Sequence, residues 1–156
     1  MLKKIKIIEL HKILDKKEII KKFSITEQQE ILLDKYLEKL INYNLHTNLV
    51  GKSTLQNPWV SHILDSLQVI SYIENKKQTI LDMGTGAGLP GIPLSIIGCS
   101  QVCLVDSNKK KINFLKIIKD ELNINLKIVC DRLENIEFLK FDIITSRALA
   151  NLENLF

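Results

Sequence analysis

The amino-acid sequence predicts a doubly wound α/β domain with a mostly parallel sheet, preceded by an N-terminal helical extension. From Thr79 onward, short apolar runs rich in β-branched residues (Thr79–Met83, Gln101–Asp106, Leu126–Cys130 and Phe141–Ser146) alternate with helical patterns. These runs are apolar on both faces, as befits strands of a parallel sheet covered by helices on both sides. A glycine-rich loop, Asp82 to Gly91, joins the first run to the helical stretch that follows. A βαβαβ order of this kind winds right-handed and holds its ligand at the carboxyl ends of the strands.

The helical extension occupies roughly the first 75 residues. Ser24 or Thr26 can cap a helix running to about Tyr43, with Glu27 in its first turn. Ile31, Leu32, Tyr36, Leu37, Leu40 and Ile41 recur within it at three- and four-residue spacing and form one apolar stripe. Asn42 to Gly51 reads as a loop. Pro58 then opens a second helix, where its missing N–H costs nothing, with Val60, Ile63, Leu64, Leu67, Ile70 and Ile73 as apolar positions. Lys109–Leu122 is an amphipathic helix between the second and third strands. Residues 1–76 form the helical segment and residues 77–156 the sheet half, within one compact unit.

Composition bounds the function. Across 156 residues, 46% are hydrophobic and 26% charged, which is globular and not disordered composition. No apolar run is long enough to span a bilayer. The N-terminus alternates Lys and Ile without an apolar segment or cleavage site, so no signal peptide is read and a cytoplasmic location is expected. Cys99, Cys103 and Cys130 form no C-x-x-C pair, and His11, His46 and His62 are scattered, so no metal is expected. Cys103 and Cys130 lie in strand-like runs and read as small core thiols. Net charge is +4, and Lys3, Lys4, Lys6, Lys12, Lys16, Lys17, Lys21 and Lys22 crowd the first 22 residues. Such a cluster suits a polyanion such as RNA, or simply a solvated helix face.

The loop carries the chemistry. Gly84, Gly86, Gly88 and Gly91 are four of the chain's six glycines. Between a strand and a helix they let the backbone turn sharply and approach a ligand. Gly86, Gly88 and Gly91 also fit the dinucleotide fingerprint G-x-G-x-x-G. Asp82 decides between ligands, because a carboxylate beside the loop repels a pyrophosphate but favours the ammonium and sulfonium of S-adenosyl-L-methionine. Asp106, ending the second strand, can accept hydrogen bonds from both ribose hydroxyls or cap the following helix. Arg132, Leu133 and Glu134 follow the third strand, where backbone groups can frame an adenine edge. His62 and Asp65 share a helical face and can touch RNA or ligand, or merely each other. Arg132 and Arg147 are the only arginines among 22 basic residues, both at predicted strand ends. The planar fork of Arg147 suits a ligand carboxylate or an RNA phosphate; the alternative is a surface pair with Asp142 or Glu153.

Several segments resemble the RsmG/GidB family: Asn48–Val50, His62–Ser66, Leu81–Pro93 with its Gly-Leu-Pro-Gly-Ile-Pro extension, Phe141–Asp142 and Thr145–Ala148. Order and spacing agree from about Gln28 to Phe156. The resemblance implies a class I (Rossmann-like) S-adenosylmethionine-dependent methyltransferase fold. It also implies methyl transfer to guanine N7 in 16S ribosomal RNA, with that RNA or the small ribosomal subunit as partner. By motif position, Gly84, Leu89, Leu133, Glu134 and Arg147 would hold the cofactor, with Asp106 at the ribose. Ser61 stands where the family usually carries a basic residue. The family continues through further strands, so the chain reads as C-terminally truncated. With the family strand order 3-2-1-4, Phe141–Ser146 would be an unprotected edge, favouring poor solubility, dimerisation or only partial folding of the 156-residue chain alone.

Guanine N7 carries a free lone pair, so the implied reaction needs no general base and no catalytic dyad is expected; alignment would supply the rate. Two other readings stay open: a remnant that binds cofactor or ribosome without methyl transfer, and a dinucleotide-binding oxidoreductase.

Overall fold

A computed structural model of the chain describes residues 15–137 and 140–147. Lys3, Lys4, Lys6, Lys12, His11 and Glu153 lie outside the described residues. Four parallel strands, β1 (Thr79–Met83), β2 (Gln101–Asp106), β3 (Lys127–Cys130) and β4 (Ile143–Ser146), form one sheet in the order β3-β2-β1-β4. This is the Rossmann-like α/β arrangement that the sequence predicts. In β1 and β2, Asp82 pairs with Leu104 and Met83 with Val105. The loop leaving β1 therefore emerges beside Asp106, at the end of β2.

Burial on both faces holds for the two central strands but not for the outer ones. Residues 80–83 and 102–106 are all buried, whereas no residue of β3 is and only Thr145 of β4 is. Cys130 is exposed, so the expectation of a core thiol fails there; it ends β3, which among the described residues pairs with β2 alone and has no buried residue. Cys99 and Cys103 are buried, and burial pushes both thiols up. β4 starts at Ile143, later than predicted. Asp142 just ahead of it accepts hydrogen bonds from Thr79 N (2.7 Å) and Thr79 Oγ1 (2.9 Å). Among the described residues β4 pairs with β1 alone.

A helical stretch, residues 15–22 (α1), opens the described chain. The next helix, α2 (Glu27–Asn44), begins at Thr26, whose side chain accepts from Gln29 N while the Gln29 side chain accepts from Thr26 N. That reciprocal pair satisfies two N–H groups that a helix start otherwise leaves bare. The buried stripe is Leu33, Tyr36, Leu37, Leu40 and Asn44. Ile31 and Ile41, which the sequence reading put in the stripe, are exposed. Leu33 takes the inward place because its spacing to Tyr36, Leu37 and Leu40 keeps one face turned to the core.

α2 packs on α4 (Gly91–Ile96) and α5 (Lys109–Leu122), and Tyr43 meets Phe114 at 5.0 Å between ring centroids. Asn108 caps α5 by accepting from Lys110 N and Lys111 N, which leaves Asp106 without that task. The helix after Pro58 departs from the prediction. This α3 is π-helical over Trp59–Leu64, α-helical over Asp65–Leu67 and 3-10 over Gln68–Tyr72. Widened turns of this kind re-aim side chains and recur at functional sites; here Trp59, His62 and Ile63 turn inward. Lys16, one of the basic cluster, is tied to Asp34 at 2.6 Å and Glu30 at 2.9 Å. No helix of the described residues is long and apolar enough to cross a membrane.

Candidate ligand-binding site

Asp82 lies in β1 with its side chain fully buried. Its Oδ2 accepts from Thr85 Oγ1 (2.6 Å) and Gly91 N (2.9 Å), and its Oδ1 from Thr145 Oγ1 (3.3 Å). The sequence reading set this carboxylate against a cationic ligand; the structure instead spends both oxygens on the loop and on β4. Asp82 shapes the loop from beneath. Burial pushes its pKa up to about 6, against the opposing pull of those hydrogen bonds and of the Arg147 charge.

Most of the loop's N–H groups are also committed. Thr85 N donates to Val105 O at 3.0 Å, Gly88 N and Leu89 N to Thr85 O at 2.9 and 3.2 Å, and Ile92 N to Gly88 O at 2.7 Å. Gly86 N donates to Asp106 Oδ2 at 2.9 Å. Leu94 N donates to Pro90 O at 3.1 Å, and Pro90 and Pro93 have no N–H to give. With Gly91 N on Asp82, the start of α4 offers little to an anion. The Leu89–Pro90 peptide bond is cis.

Above the loop lies a cavity of about 360 Å³, within the size range of small-molecule sites. Gly84, Thr85, Gly86, Ala87 and Leu89 form one wall, Leu49 to Gly51 and Thr54 another, and His62, Lys111 and Arg147 complete it. A larger groove along Lys22, Phe23, Asp65 and Gln68 to Tyr72 contains no loop residue. The Leu49–Gly51 wall is set by Asn44, whose Oδ1 accepts from Leu49 N (2.8 Å) and Val50 N (3.0 Å).

Asp106, 9% exposed, uses one oxygen on Gly86 N and the other on Asn108 N (2.9 Å). A carboxylate offers about four lone-pair positions, so room for two further donors remains.

His62, 2% exposed, has Nε2 at 2.9 Å from Thr54 Oγ1. Thr54 has one hydroxyl proton and gives it to Gly51 O at 2.6 Å. By that network Nε2 carries the histidine proton and donates to Thr54, which makes Nδ1 an acceptor. Nδ1 is buried and has no partner among the described residues. Burial, helped by Arg147, pushes the imidazole down to about 4, so it is neutral. Arg147 pairs with Asp65 at 2.8 Å and donates to Ser61 O at 3.4 Å; the alternative pair with Asp142 does not form, and Asp142 serves Thr79.

Of the residues singled out in the sequence, Gly84, Gly86, Leu89, His62 and Arg147 come together in this cavity. Asp82 and Asp106 bind its loop from below and beside. A Cβ at Gly88 would meet Ile92 and Leu115, so Gly88 serves packing under the loop. Leu133, packed on Leu81, Met83, Cys103 and Val105, and the exposed Glu134 lie in a 3-10 turn after β3 and outside the cavity. Sequence reasoning gave no site role to Thr85, Thr145, Asn44, Thr54 or Lys111. The first two were legible as hydroxyls three residues after Asp82 and inside the last strand. Among the described residues no group of three or more His, Cys, Asp or Glu side chains could hold a metal ion.

The two buried titratable groups have opposite effects on stability. His62 is depressed from 6.5, so the stability it contributes is present above pH 6.5 and is lost as pH falls toward about 4. Asp82 is raised from 3.8, so its contribution is present below pH 3.8 and is lost as pH rises through about 6. Each is worth about 3 kcal/mol, and between these limits they oppose. The denaturation midpoint of the parent chain should therefore stay nearly flat from about pH 4 to pH 6. In His62→Gln the Asp82 contribution stands alone, and the midpoint should fall as pH rises across that window. A His62→Gln profile as flat as the parent's would show that the histidine is not held neutral.

Fold and site together define a Rossmann-like α/β domain of the methyltransferase type. The family model for rRNA small subunit methyltransferase G (GidB) matches residues 29–156, and the chain belongs to that family. It is 42% identical over 120 residues to the ribosomal RNA small subunit methyltransferase G of Orientia tsutsugamushi (strain Ikeda), covering 77% of this chain and 60% of that protein. Against the protein of the same name from Rickettsia rickettsii (strain Sheila Smith) the figures are 44% over 120 residues, 76% and 62%. The chain thus spans about three fifths of the length of these curated relatives.

Proposed function

We propose that this chain binds S-adenosylmethionine in the cavity above the glycine loop. We further propose that it serves an enzyme methylating N7 of a guanine in 16S ribosomal RNA, acting on that RNA or on the small ribosomal subunit in the cytoplasm. Family membership supports a methyl donor. The observation that carries the choice of donor is the state of the loop: the N–H groups of Thr85, Gly86, Gly88, Leu89 and Gly91 are bonded within the protein and two carboxylates, Asp82 and Asp106, sit against it. A pyrophosphate needs free N–H groups at the helix start, so the dinucleotide reading loses its support. A ligand with two ribose hydroxyls and a positive centre suits the same loop.

When bound, S-adenosylmethionine supplies an electrophilic methyl group on a sulfonium. The chain's own part is to hold and align. Asp106 accepts from the ribose hydroxyls, Gly84, Gly86 and Leu89 form the floor, and Arg147 faces the carboxylate end. Leu133 and Glu134 flank the adenine side, beyond the present cavity wall. The neutral His62 borders the target side without taking up a proton, in keeping with attack by a lone pair that is already free. Residues 1–76 and 77–156 act as one unit, a reading that the Asn44-held wall of the cavity supports.

Calorimetric titration of the full chain tests the ligand. S-adenosylmethionine or S-adenosylhomocysteine should bind and NAD should not. Tighter binding of NAD would overturn the assignment. Incubation of small subunits with labelled donor, followed by mass spectrometry of the RNA, separates methyl transfer from binding without transfer.

A further inference from the structure

We infer that Tyr36 is a positioning residue for the ligand loop, acting through the Ala87 carbonyl from a helix outside the sheet half; this rests on the ligand reading above. Tyr36 is completely buried, and its Oη donates to Ala87 O at 2.9 Å across 51 residues of sequence. Among the described side chains it is the one that bonds a carbonyl of the loop between Gly84 and Gly91; Asp82 and Asp106 both take N–H groups. The peptide unit concerned joins Ala87 to Gly88. Its N–H end is fixed on Thr85 O at 2.9 Å, and its carbonyl end is fixed by Tyr36.

Rotation of that peptide turns on φ of Gly88, at 89°, and Ala87 is flanked by a second glycine at positive φ, Gly86 (58°), so the backbone here can rotate with little steric penalty. Ala87 itself lines the ligand cavity. A rotation of its carbonyl would change the shape and charge of the wall that the ligand meets. Burial drives the phenol's pKa upward, so the hydroxyl keeps the proton it donates. The ring of Tyr36 fills the core as a phenylalanine ring could; the hydroxyl alone reaches the loop.

Tyr36→Phe in the full chain separates the two parts. The expected result is binding of S-adenosylhomocysteine about fivefold to tenfold weaker in calorimetry, with the thermal midpoint lowered by a few degrees, as for one lost hydrogen bond to a buried acceptor. In the ligand-free chain, exchange of the Gly88 amide should quicken about tenfold relative to the α5 amides. Leu33→Ala, on the same helix and making no hydrogen bond to the loop, should lower the midpoint and leave the affinity of the folded protein alone. A Tyr36→Phe chain with the parent's affinity and the parent's Gly88 exchange overturns the inference. If the parent binds no S-adenosylhomocysteine while Gly88 exchange still quickens in Tyr36→Phe, the loop restraint stands and the ligand assignment fails.

Discussion

Asp106→Ala is expected to weaken binding of S-adenosylhomocysteine by at least about a hundredfold, the largest effect of any single change at the site. The carboxylate holds Gly86 N and Asn108 N, one on each oxygen, and keeps lone pairs for two hydroxyl donors. Hydrogen bonds to a charged acceptor are worth about 1.5–3 kcal/mol each, so losing two accounts for the figure. Asp106→Asn is no gentle replacement, because its NH₂ must face one of the two backbone N–H groups. It should bind little better than the alanine variant. The check is calorimetry on protein shown to be folded by circular dichroism. A dissociation constant within threefold of the parent's would remove Asp106 from the ligand.

Gly91→Ala should cost about 3 kcal/mol of stability, read as a shift of the urea midpoint, through overpacking of a closed core. A Cβ at Gly91 would overlap Leu104 Cδ2 and stand 2.9 Å from Asp82 Oδ2 and 3.3 Å from Val102 Cγ1. Leu104 and Asp82 belong to the two central strands and are fully buried, so neither has room to move. The substitution also strains the bond from Gly91 N to Asp82. Gly86→Ala makes the useful contrast. Its Cβ would meet nothing nearer than Gly84 O at 3.9 Å, and its cost comes from the φ of +58° alone, about 1–2 kcal/mol. Equal losses in the two variants would refute the packing account.

The central features of the fold were legible because they follow from local pattern. The runs at β1 and β2 and the amphipathic span of α5 appear with the expected bounds, since their residues are buried or turned by their own periodicity. The outer strands were less legible: the run Leu126–Cys130 looks apolar on both faces, but nothing in it reveals that among the described residues it pairs with β2 alone. The break in α3 was illegible too, as its apolar spacing suits an ordinary helix. At the site, glycine spacing pointed to the loop. What the loop is tied to depends on chain segments brought in from afar, and Tyr36 in sequence is one more member of an apolar stripe. Asp82 shows the limit most clearly. Its type and position suggested a ligand contact, and only its surroundings reveal that it is fully buried with three donors from the protein.

The ties on the loop differ greatly in the length of chain they close. Asp82 meets Thr85 and Gly91 across 3 and 9 residues, and Asp106 meets Gly86 across 20. Tyr36 and Thr145 close 51 and 63. Closing longer loops costs more chain entropy and delays the contacts that repay it. The turn around Asp82 can therefore take shape early, while the cavity is completed by the late arrival of α2 and β4. Its walls belong to the native state more than to the transition state that precedes it. A ligand held between them would slow unfolding far more than it speeds folding.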